Sequence, residues 1–120
     1  MKISLISPPW THHCDNDIKQ FAKRVGGAYP PLNLAYLAAI AEKEGHTVQI
    51  IDGEAEELSI DQVLAIVNKF SPDIIGLTAT TPFYHISVLL AERIKQQDKK
   101  FLVAIGGAHI TVLKEHAFED

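Results

Sequence analysis

The stretch PPLNLAYLAAIAEKEGHTVQIID, residues 30–52, decides the fold, because it holds a helix pattern, a stop and a strand pattern in succession. Apolar residues extend almost all the way round the segment after Pro30-Pro31, which predicts a well-buried helix. Gly45 supplies the stop, since glycine readily adopts the left-handed conformation that ends helices. TVQIID (47–52) then alternates apolar and polar residues, which indicates a strand at the edge of a sheet.

Three further apolar runs repeat the strand pattern. They are nearly continuous in Ile, Leu and Val, as expected for parallel strands that are buried on both faces. The runs are ISLIS (3–7), DIIGLT (73–78) and FLVAIGG (101–107).

Two further helix patterns and a short one lie between and after these runs. Ser59 and Gln62 form a capping box that opens the first of them. Thr81-Pro82 is a cap residue followed by a first-turn proline and predicts the start of the second. A short helix follows near 110–117. The buried faces of the two longer helices are predicted to be Ile60, Val63, Leu64, Val67 and Phe70, and Ile86, Leu89, Leu90 and Ile94.

This alternation predicts an α/β fold, a doubly wound Rossmann-like or flavodoxin-like parallel sheet with right-handed crossovers. Four strands are present, and a fifth is expected where the sequence ends. Residues 1–120 are therefore predicted to be one domain, the N-terminal part of a longer protein. The connection over residues 8–30 is long for such a fold.

The composition argues against several classes of partner and metal site. The net charge of −4 argues against nucleic acid or an anionic membrane surface. Cys14 is the single cysteine, so the chain has neither an internal disulfide nor the clustered thiolates of an iron–sulfur or cysteine-rich zinc site. No apolar run approaches the ~20 residues of a membrane span. We expect a cytoplasmic domain with no nucleic-acid partner and no membrane partner.

Function is expected at the carboxyl ends of the strands, where open parallel sheets bind ligands. Three of the four loops there consist largely of small residues, which let a ligand approach the backbone and offer hydroxyl or N–H groups. The loops are SPPW (7–10), DGEAE (52–56), TATTP (78–82) and GGAHIT (106–111).

Several common sites are missing from these loops. No G-x-G-x-x-G follows the first strand, there is no Walker A lysine, and no serine sits on a G-x-S-x-G turn. The third strand ends in Leu77-Thr78 rather than an aspartate, which disfavours a phosphoacceptor domain. No catalytic residue is predicted.

The third-strand end GLT (76–78) and the fourth-strand end IGGA (105–108) resemble two signatures of cobalamin-binding domains. Together with SPPW, YPPLNLAYLAAIAEKEGHTVQIID (29–52) and GGAHIT, they resemble the N-terminal domain of cobalamin-dependent radical S-adenosylmethionine enzymes. The likeness covers nearly the whole chain, and the order and spacing of the motifs carry it.

The resemblance implies cobalamin as the ligand and a role for each matching residue. Thr78 would hydrogen-bond the nucleotide tail, and Gly106 and Gly107 would let that tail pass along the backbone. Ser7, Pro8 and Pro9 would form the rim near the corrin ring. The remaining residues implied at the ring or the tail loop are Trp10, Ala79, Thr80, Thr81, Ala108 and His109.

At the position expected to supply the lower ligand of cobalt, the sequence departs from one branch of the family. The D-x-H-x-x-G motif, whose histidine ligates cobalt in that branch, is absent from SPPWTHHCDND (7–17). Many radical-enzyme members lack it too. We predict no metal ligand, although His12 or His13 could reach cobalt. Trp10 covers the corrin edge or folds back onto the core.

For the parent protein, the resemblance implies two cofactors, S-adenosylmethionine and a [4Fe-4S] cluster, in a downstream radical barrel of the same polypeptide. It also implies one of two activities, that of a methyltransferase or that of an anaerobic magnesium-protoporphyrin monomethyl ester cyclase. The chain alone would bind cobalamin and catalyse nothing. One alternative is the N-terminal half of a nucleotide-sugar glycosyltransferase, with Gly26-Gly27 as its glycine loop. A non-catalytic interaction domain is the other.

Six further side chains have a structural interpretation. Glu54, Glu56 and Glu57 are predicted to form a solvated acidic face. Tyr29, Tyr36 and Phe83 are predicted to be packing residues.

Overall fold

The computed structural model of the chain describes residues 1–11, 15–17, 19–20 and 30–119. Four parallel strands form one sheet in the order β2-β1-β3-β4. The strands are β1 (Lys2–Ser7), β2 (Thr47–Asp52), β3 (Ile74–Thr78) and β4 (Leu102–Gly106). The predicted α/β class and the edge position of TVQIID are confirmed.

Within residues 30–119, four α-helices connect or follow the strands. They are α1 (Leu32–Lys43), α2 (Ile60–Phe70), α3 (Tyr84–Gln97) and α4 (Ala108–Leu113). Short 3₁₀ helices precede α3 (Thr81–Phe83) and follow α4 (Lys114–Phe118). The third helix therefore begins later than predicted, because Thr81-Pro82 starts a 3₁₀ turn that is continued as α-helix only from Tyr84.

Local signals set two helix ends. The Ser59 hydroxyl accepts from the Gln62 backbone N–H at 3.2 Å, and the Gln62 side chain accepts from the Ser59 N–H at 2.8 Å. This is the predicted capping box, which satisfies two N–H groups that α2 leaves unpaired. Gly45 has a φ of +84° just after α1 ends, as its stop role requires.

One face of the sheet, which we call the closed face, is covered by α2 and α3. Its ten core residues interlock in one apolar cluster: Ile6, Ile51, Ile60, Val63, Leu64, Val67, Ile75, Leu77, Leu90 and Ile94. The buried sides predicted for α2 and α3 are confirmed, with Phe70 and Leu89 half-buried.

The other face, which we call the open face, is covered by α1 alone as far as the described residues show. Leu34 and Ala38 of α1 pack on Leu5 of β1, with Ile3 and Val48 beside them. Over β4 the residues of this face are exposed, Leu102 at 60 %.

Two burial predictions are wrong for this reason. Helix α1 buries only Leu34 and Ala38, while Tyr36, predicted to pack, is 72 % exposed. Strand β4, predicted to be buried on both faces, alternates exposed and half-buried residues. An apolar helix and strand can be recognised by pattern, but whether a second layer covers them depends on neighbours.

No helix among the described residues is long and apolar enough to cross a bilayer.

Candidate functional site

A cleft opens at the carboxyl edge of the sheet between the ends of β1 and β3. The chain passes from β1 to β2 on one side and returns to β3 on the other, so the strand order reverses there. Such a point leaves a crevice between diverging loops, where open α/β sheets bind ligands. The cleft encloses about 190 Å³ and is lined by Ser7, Pro8, Trp10, Thr78, Thr80, Phe83 and Ser87.

The first wall is the rim loop, residues 7–11, which is attached to the loop after β2. The Gly53 N–H donates to the Ser7 carbonyl at 2.9 Å. Pro9 is fully buried, and a Cβ on Gly53 would lie only 2.9 Å from its Cδ atom. Glycine is therefore required at position 53 for the close packing that holds the rim loop.

An aromatic stack joins the two walls. The rings of Trp10 and Phe83 are 4.4 Å apart with an interplanar angle of 17°. Both residues line the cleft, and such offset stacking contributes beyond simple area burial. The prediction that Phe83 serves in packing holds for its contact with Trp10, but the same ring is also part of the cleft.

The second wall is organised around Thr78. Asn33 of α1 donates from Nδ2 to the Thr78 hydroxyl at 3.1 Å, and the Ser87 hydroxyl donates to the Thr78 carbonyl at 2.9 Å. A threonine hydroxyl has one hydrogen and two lone pairs. Because Asn33 occupies a lone pair, the Thr78 hydrogen is left to donate to a ligand.

Ala79 fastens the loop after β3 to the loop after β4. Its N–H donates to the Gly106 carbonyl at 2.7 Å, and its carbonyl accepts from the His109 N–H at 3.4 Å. Gly107 has a φ of +113°, and a Cβ there would lie 2.6 Å from the Ala79 carbonyl oxygen. Close approach of the two loops therefore requires glycine at 107.

His109 lies behind this junction and is buried, at 7 % exposure. Its imidazole stacks on Tyr84 with ring centroids 4.2 Å apart, and the Tyr84 hydroxyl donates to the Ala117 carbonyl at 2.6 Å. Among the described residues, the Nε2 atom of His109 has no hydrogen-bond partner. A buried polar atom of this kind carries a desolvation cost until it is paired.

Small residues extend from Thr78 across the open face. Gly76 of β3 pairs with Ala104 of β4, and Thr78 pairs with Gly106. Ala104 and Gly106 are exposed, and a Cβ on Gly106 would meet nothing within 4 Å. Near the carboxyl ends of β3 and β4, the open face thus carries only small side chains.

In the acidic loop after β2, Glu54 is less exposed than predicted. Glu54 is half-buried and accepts from Thr11 twice, from the backbone N–H at 3.1 Å and from the hydroxyl at 2.6 Å. Its assignment to a solvated face was wrong, because the rim loop covers it. Glu56 is exposed, as predicted.

Metal-ligating side chains are scarce around the cleft. The described residues contain no group of three or more His, Cys, Asp or Glu side chains that could hold a metal ion. None of the described residues that line the cleft carries an imidazole, a thiol or a carboxylate. The candidate cobalt ligands His12 and His13, and the glycine pair Gly26-Gly27, lie outside the described residues, as do Cys14 and Tyr29.

The residues predicted from sequence thus divide into three groups. Five line the cleft, namely Ser7, Pro8, Trp10, Thr78 and Thr80. Pro9, Ala79, Gly107 and His109 support its walls from behind. Gly106 lies open beside it, and Thr81 and Ala108 are exposed at helix starts outside the cleft lining.

Four residues of the site were not assigned to it from the sequence: Phe83, Ser87, Asn33 and Glu54. For two of them, the sequence contains a feature that could have indicated a place in the site. Asn33 is the one amide in the apolar run of α1, and Ser87 is one helical turn beyond Phe83 on the same side of the chain.

Comparison with known proteins adds a family. The model of the B12 binding domain matches residues 18–120, which confirms the resemblance to cobalamin-binding domains. No solved structure matches the chain.

Curated relatives extend the comparison. An uncharacterized methyltransferase of Pyrococcus horikoshii is 41% identical over 115 residues, covering 96% of this chain and 23% of the relative. The anaerobic magnesium-protoporphyrin IX monomethyl ester cyclase of Rubrivivax gelatinosus is 33% identical over 80% of this chain and 18% of its own length. The cytidylyl-2-hydroxyethylphosphonate methyltransferase of Streptomyces wedmorensis is 28% identical over 75% of this chain and 20% of its own length. The chain spans less than a quarter of each of these relatives.

Proposed function

Since the chain belongs to the B12 binding domain family, we propose that it binds cobalamin at the carboxyl edge of its sheet. The observation that carries the proposal is the cleft where the strand order reverses, bounded by the rim loop and Thr78. Its 190 Å³ is below the range of about 300–1,000 Å³ for drug-sized ligands. The cleft therefore takes only part of a molecule as large as cobalamin, and the rest lies across the open edge.

The nucleotide tail is assigned to the side of Thr78. The Thr78 hydroxyl would donate its hydrogen to an acceptor on the tail, while the Asn33 amide, which donates to the hydroxyl oxygen, holds that oxygen in place. The exposed Ala104 and Gly106 give the tail a flat path along β4. A neutral aromatic group suits such a floor, because no charge has to be desolvated to bury it.

The corrin ring is assigned to the side of the rim loop. Pro8, Trp10 and Thr80 present one flat apolar surface and one hydroxyl toward the cleft. The Ala79 N–H is already bonded to Gly106, so Ala79 serves the site by joining the two loops rather than by bonding the ring.

The residues present fit this ligand. The Nε2 atom of His109 is buried and unpaired beside the tail loop among the described residues, and the floor at Gly106 is open. When bound, cobalamin supplies a cobalt centre that can carry a transferable methyl group. The side chains described around the cleft would hold and orient the cofactor.

The parent protein is proposed to be a radical S-adenosylmethionine enzyme. Residues 1–120 are then its N-terminal cobalamin-binding domain, and a downstream barrel holds S-adenosylmethionine and a [4Fe-4S] cluster. The named relatives are two methyltransferases and a magnesium-protoporphyrin IX monomethyl ester cyclase, which supports methyl transfer or cyclisation as the reaction of the parent protein.

The test is a titration of the purified chain into hydroxocobalamin, followed by calorimetry and by the visible spectrum. We expect saturable 1:1 binding that is weakened by Thr78→Leu and by Gly107→Val. Thr47→Leu is the matched control, because Thr47 is exposed at the opposite end of the sheet. Absence of binding both by this chain and by the full-length gene product would overturn the proposal.

A further inference from the structure

The rim loop carries two prolines in a row, and this limits how it can be anchored. Pro8 and Pro9 have no backbone N–H. The loop is bonded at its start, where the Ser7 carbonyl accepts from Gly53. Beyond the prolines, the only backbone donors of the rim loop are the N–H groups of Trp10 and Thr11.

Glu54 supplies an anchor at the end of the loop. Its two carboxylate oxygens bind two donors of one residue, the N–H of Thr11 at 3.1 Å and the hydroxyl of Thr11 at 2.6 Å. Both bonds are charge-assisted and partly buried, which makes them stronger than neutral bonds at the surface. Two bonds to one residue also fix its orientation, not only its distance.

What this anchor holds is the aromatic wall of the cleft. Trp10 directly precedes Thr11, and its indole stacks on Phe83 of the opposite wall. A shift of Thr11 therefore moves the indole relative to Phe83, whose own position is set by the 3₁₀ turn before α3. Glu54 itself does not line the cleft, so it can act on a ligand only through this connection.

We propose that Glu54 is a positioning residue of the cofactor site: through its paired bonds to Thr11 it holds Trp10 against Phe83 and so sets the corrin-facing rim. The proposal rests on the proposed cobalamin function for its ligand. The arrangement of Trp10 itself does not depend on that function.

The experiment reads Trp10 directly, because it is the only tryptophan of the chain. In the ligand-free protein, acrylamide quenching of its fluorescence is compared among the wild type, Glu54→Gln and Glu54→Ala. We expect quenching to rise from wild type to Gln to Ala, because glutamine keeps one acceptor oxygen for Thr11 and alanine keeps none. Glu56→Ala is the matched control: it removes the same charge from the same loop, and the Glu56 side chain is exposed.

The second measurement is affinity for two corrinoids, cobalamin and cobinamide, which lacks the nucleotide tail. Glu54→Ala is expected to weaken both about tenfold, the effect of losing a charge-assisted bond pair that orders the rim. Thr78→Leu is expected to weaken cobalamin alone. A thermal unfolding scan checks that each variant is folded at the assay temperature, since general destabilisation would lower the midpoint without changing quenching in the folded state.

The outcomes separate the two proposals. Quenching and corrinoid affinities of Glu54→Ala that equal those of Glu56→Ala would overturn the positioning role. If neither the wild-type chain nor the full-length gene product binds either corrinoid, while Glu54→Ala still exposes Trp10, the cobalamin function is overturned and the role of Glu54 at the rim is supported.

Discussion

The two faces of the sheet differ in what covers them. The closed face is sealed by α2 and α3, and Ile6, Ile75 and Leu90 on it are fully buried. On the open face, α1 covers β1 and β2, while β4 presents Leu102 and Ala104 to the outside. Strands β3 and β4 contribute to both faces, so the same backbone builds a core on one side and an accessible floor on the other.

This difference separates stability from binding. The closed face holds ten buried residues of the described core and the open face three, and burial of apolar surface is the main favourable term in folding. The open face contributes little burial near β4, but it is where Thr78, Gly106 and the edge of the cleft lie. Substitutions on the two faces should therefore affect different measurements.

The largest loss of stability is expected on the closed face. Leu90→Ala leaves a cavity against α2 and the sheet, because Leu90 is fully buried in the core cluster. We expect a loss of about 3 kcal/mol in the free energy of unfolding, measured by urea denaturation. Leu37→Ala on α1 is the control, since Leu37 is 55 % exposed, and should cost about 0.5 kcal/mol or less. Equal losses would mean that the two faces are equally covered.

A second, smaller effect is expected at the junction of the two loops. Gly107→Ala forces a side chain into a φ of +113° and against the Ala79 carbonyl oxygen, which should cost about 1–3 kcal/mol. Gly106→Ala makes the same chemical change one residue earlier in open space. Its unfolding free energy should stay near that of the wild type, and a comparable loss at both positions would contradict the assigned role of Gly107.

Asn33→Ala tests binding without a core effect. The bond from Asn33 to Thr78 is exposed, so stability should change little. Loss of the bond frees the Thr78 hydroxyl to rotate, and cobalamin affinity by calorimetry should fall about three- to tenfold. Asn68→Ala removes a similar amide bond, to Gln97, between α2 and α3 and should leave affinity unchanged. A loss of affinity in both variants would point to a global effect.

The smallest effect is expected on β4, where two neighbouring residues face opposite sides. Leu102→Ser on the open face should change the free energy of unfolding by about 0.5 kcal/mol or less. Val103→Ser should cost more, because Val103 packs against the core cluster. Urea denaturation of both variants gives the difference directly. A large cost at Leu102 would show that the open face is covered in solution.

Much of the fold was predictable because local patterns agree with it. Local signals predict helix ends and a buried helix face that agree with the observed sheet. They are the capping box at Ser59, the stop at Gly45 and the apolar face of α2. The order of the strands placed Ser7 and Thr78 at the same edge, and the cleft brings them together.

Contacts between residues that are distant in sequence could not be predicted from local sequence patterns. The bonds from Thr11 to Glu54 and from Asn33 to Thr78 cross 43 and 45 residues, and no local signal encodes such a pair. The exposure of Tyr36 and Leu102 had the same origin, since an apolar residue looks alike whether or not another layer covers it. The bond from the Ala55 N–H to the Asp52 carboxylate, by contrast, joins residues only three positions apart, which is the kind of pair that a local sequence pattern can indicate.

The central position of β1 in the sheet has a consequence for the order of assembly. Residue 3 of this strand pairs with residue 48 on one side and with residue 74 on the other. During synthesis, β1 is made before β3, so the edge of β1 that pairs with β3 stays unpaired until β3 has been synthesised. Such non-local pairing slows folding. The cleft needs the ends of both strands, so it can form only after the chain has been synthesised past Ser87. The binding site is thus a late product of folding, and no fragment that lacks either strand can carry it.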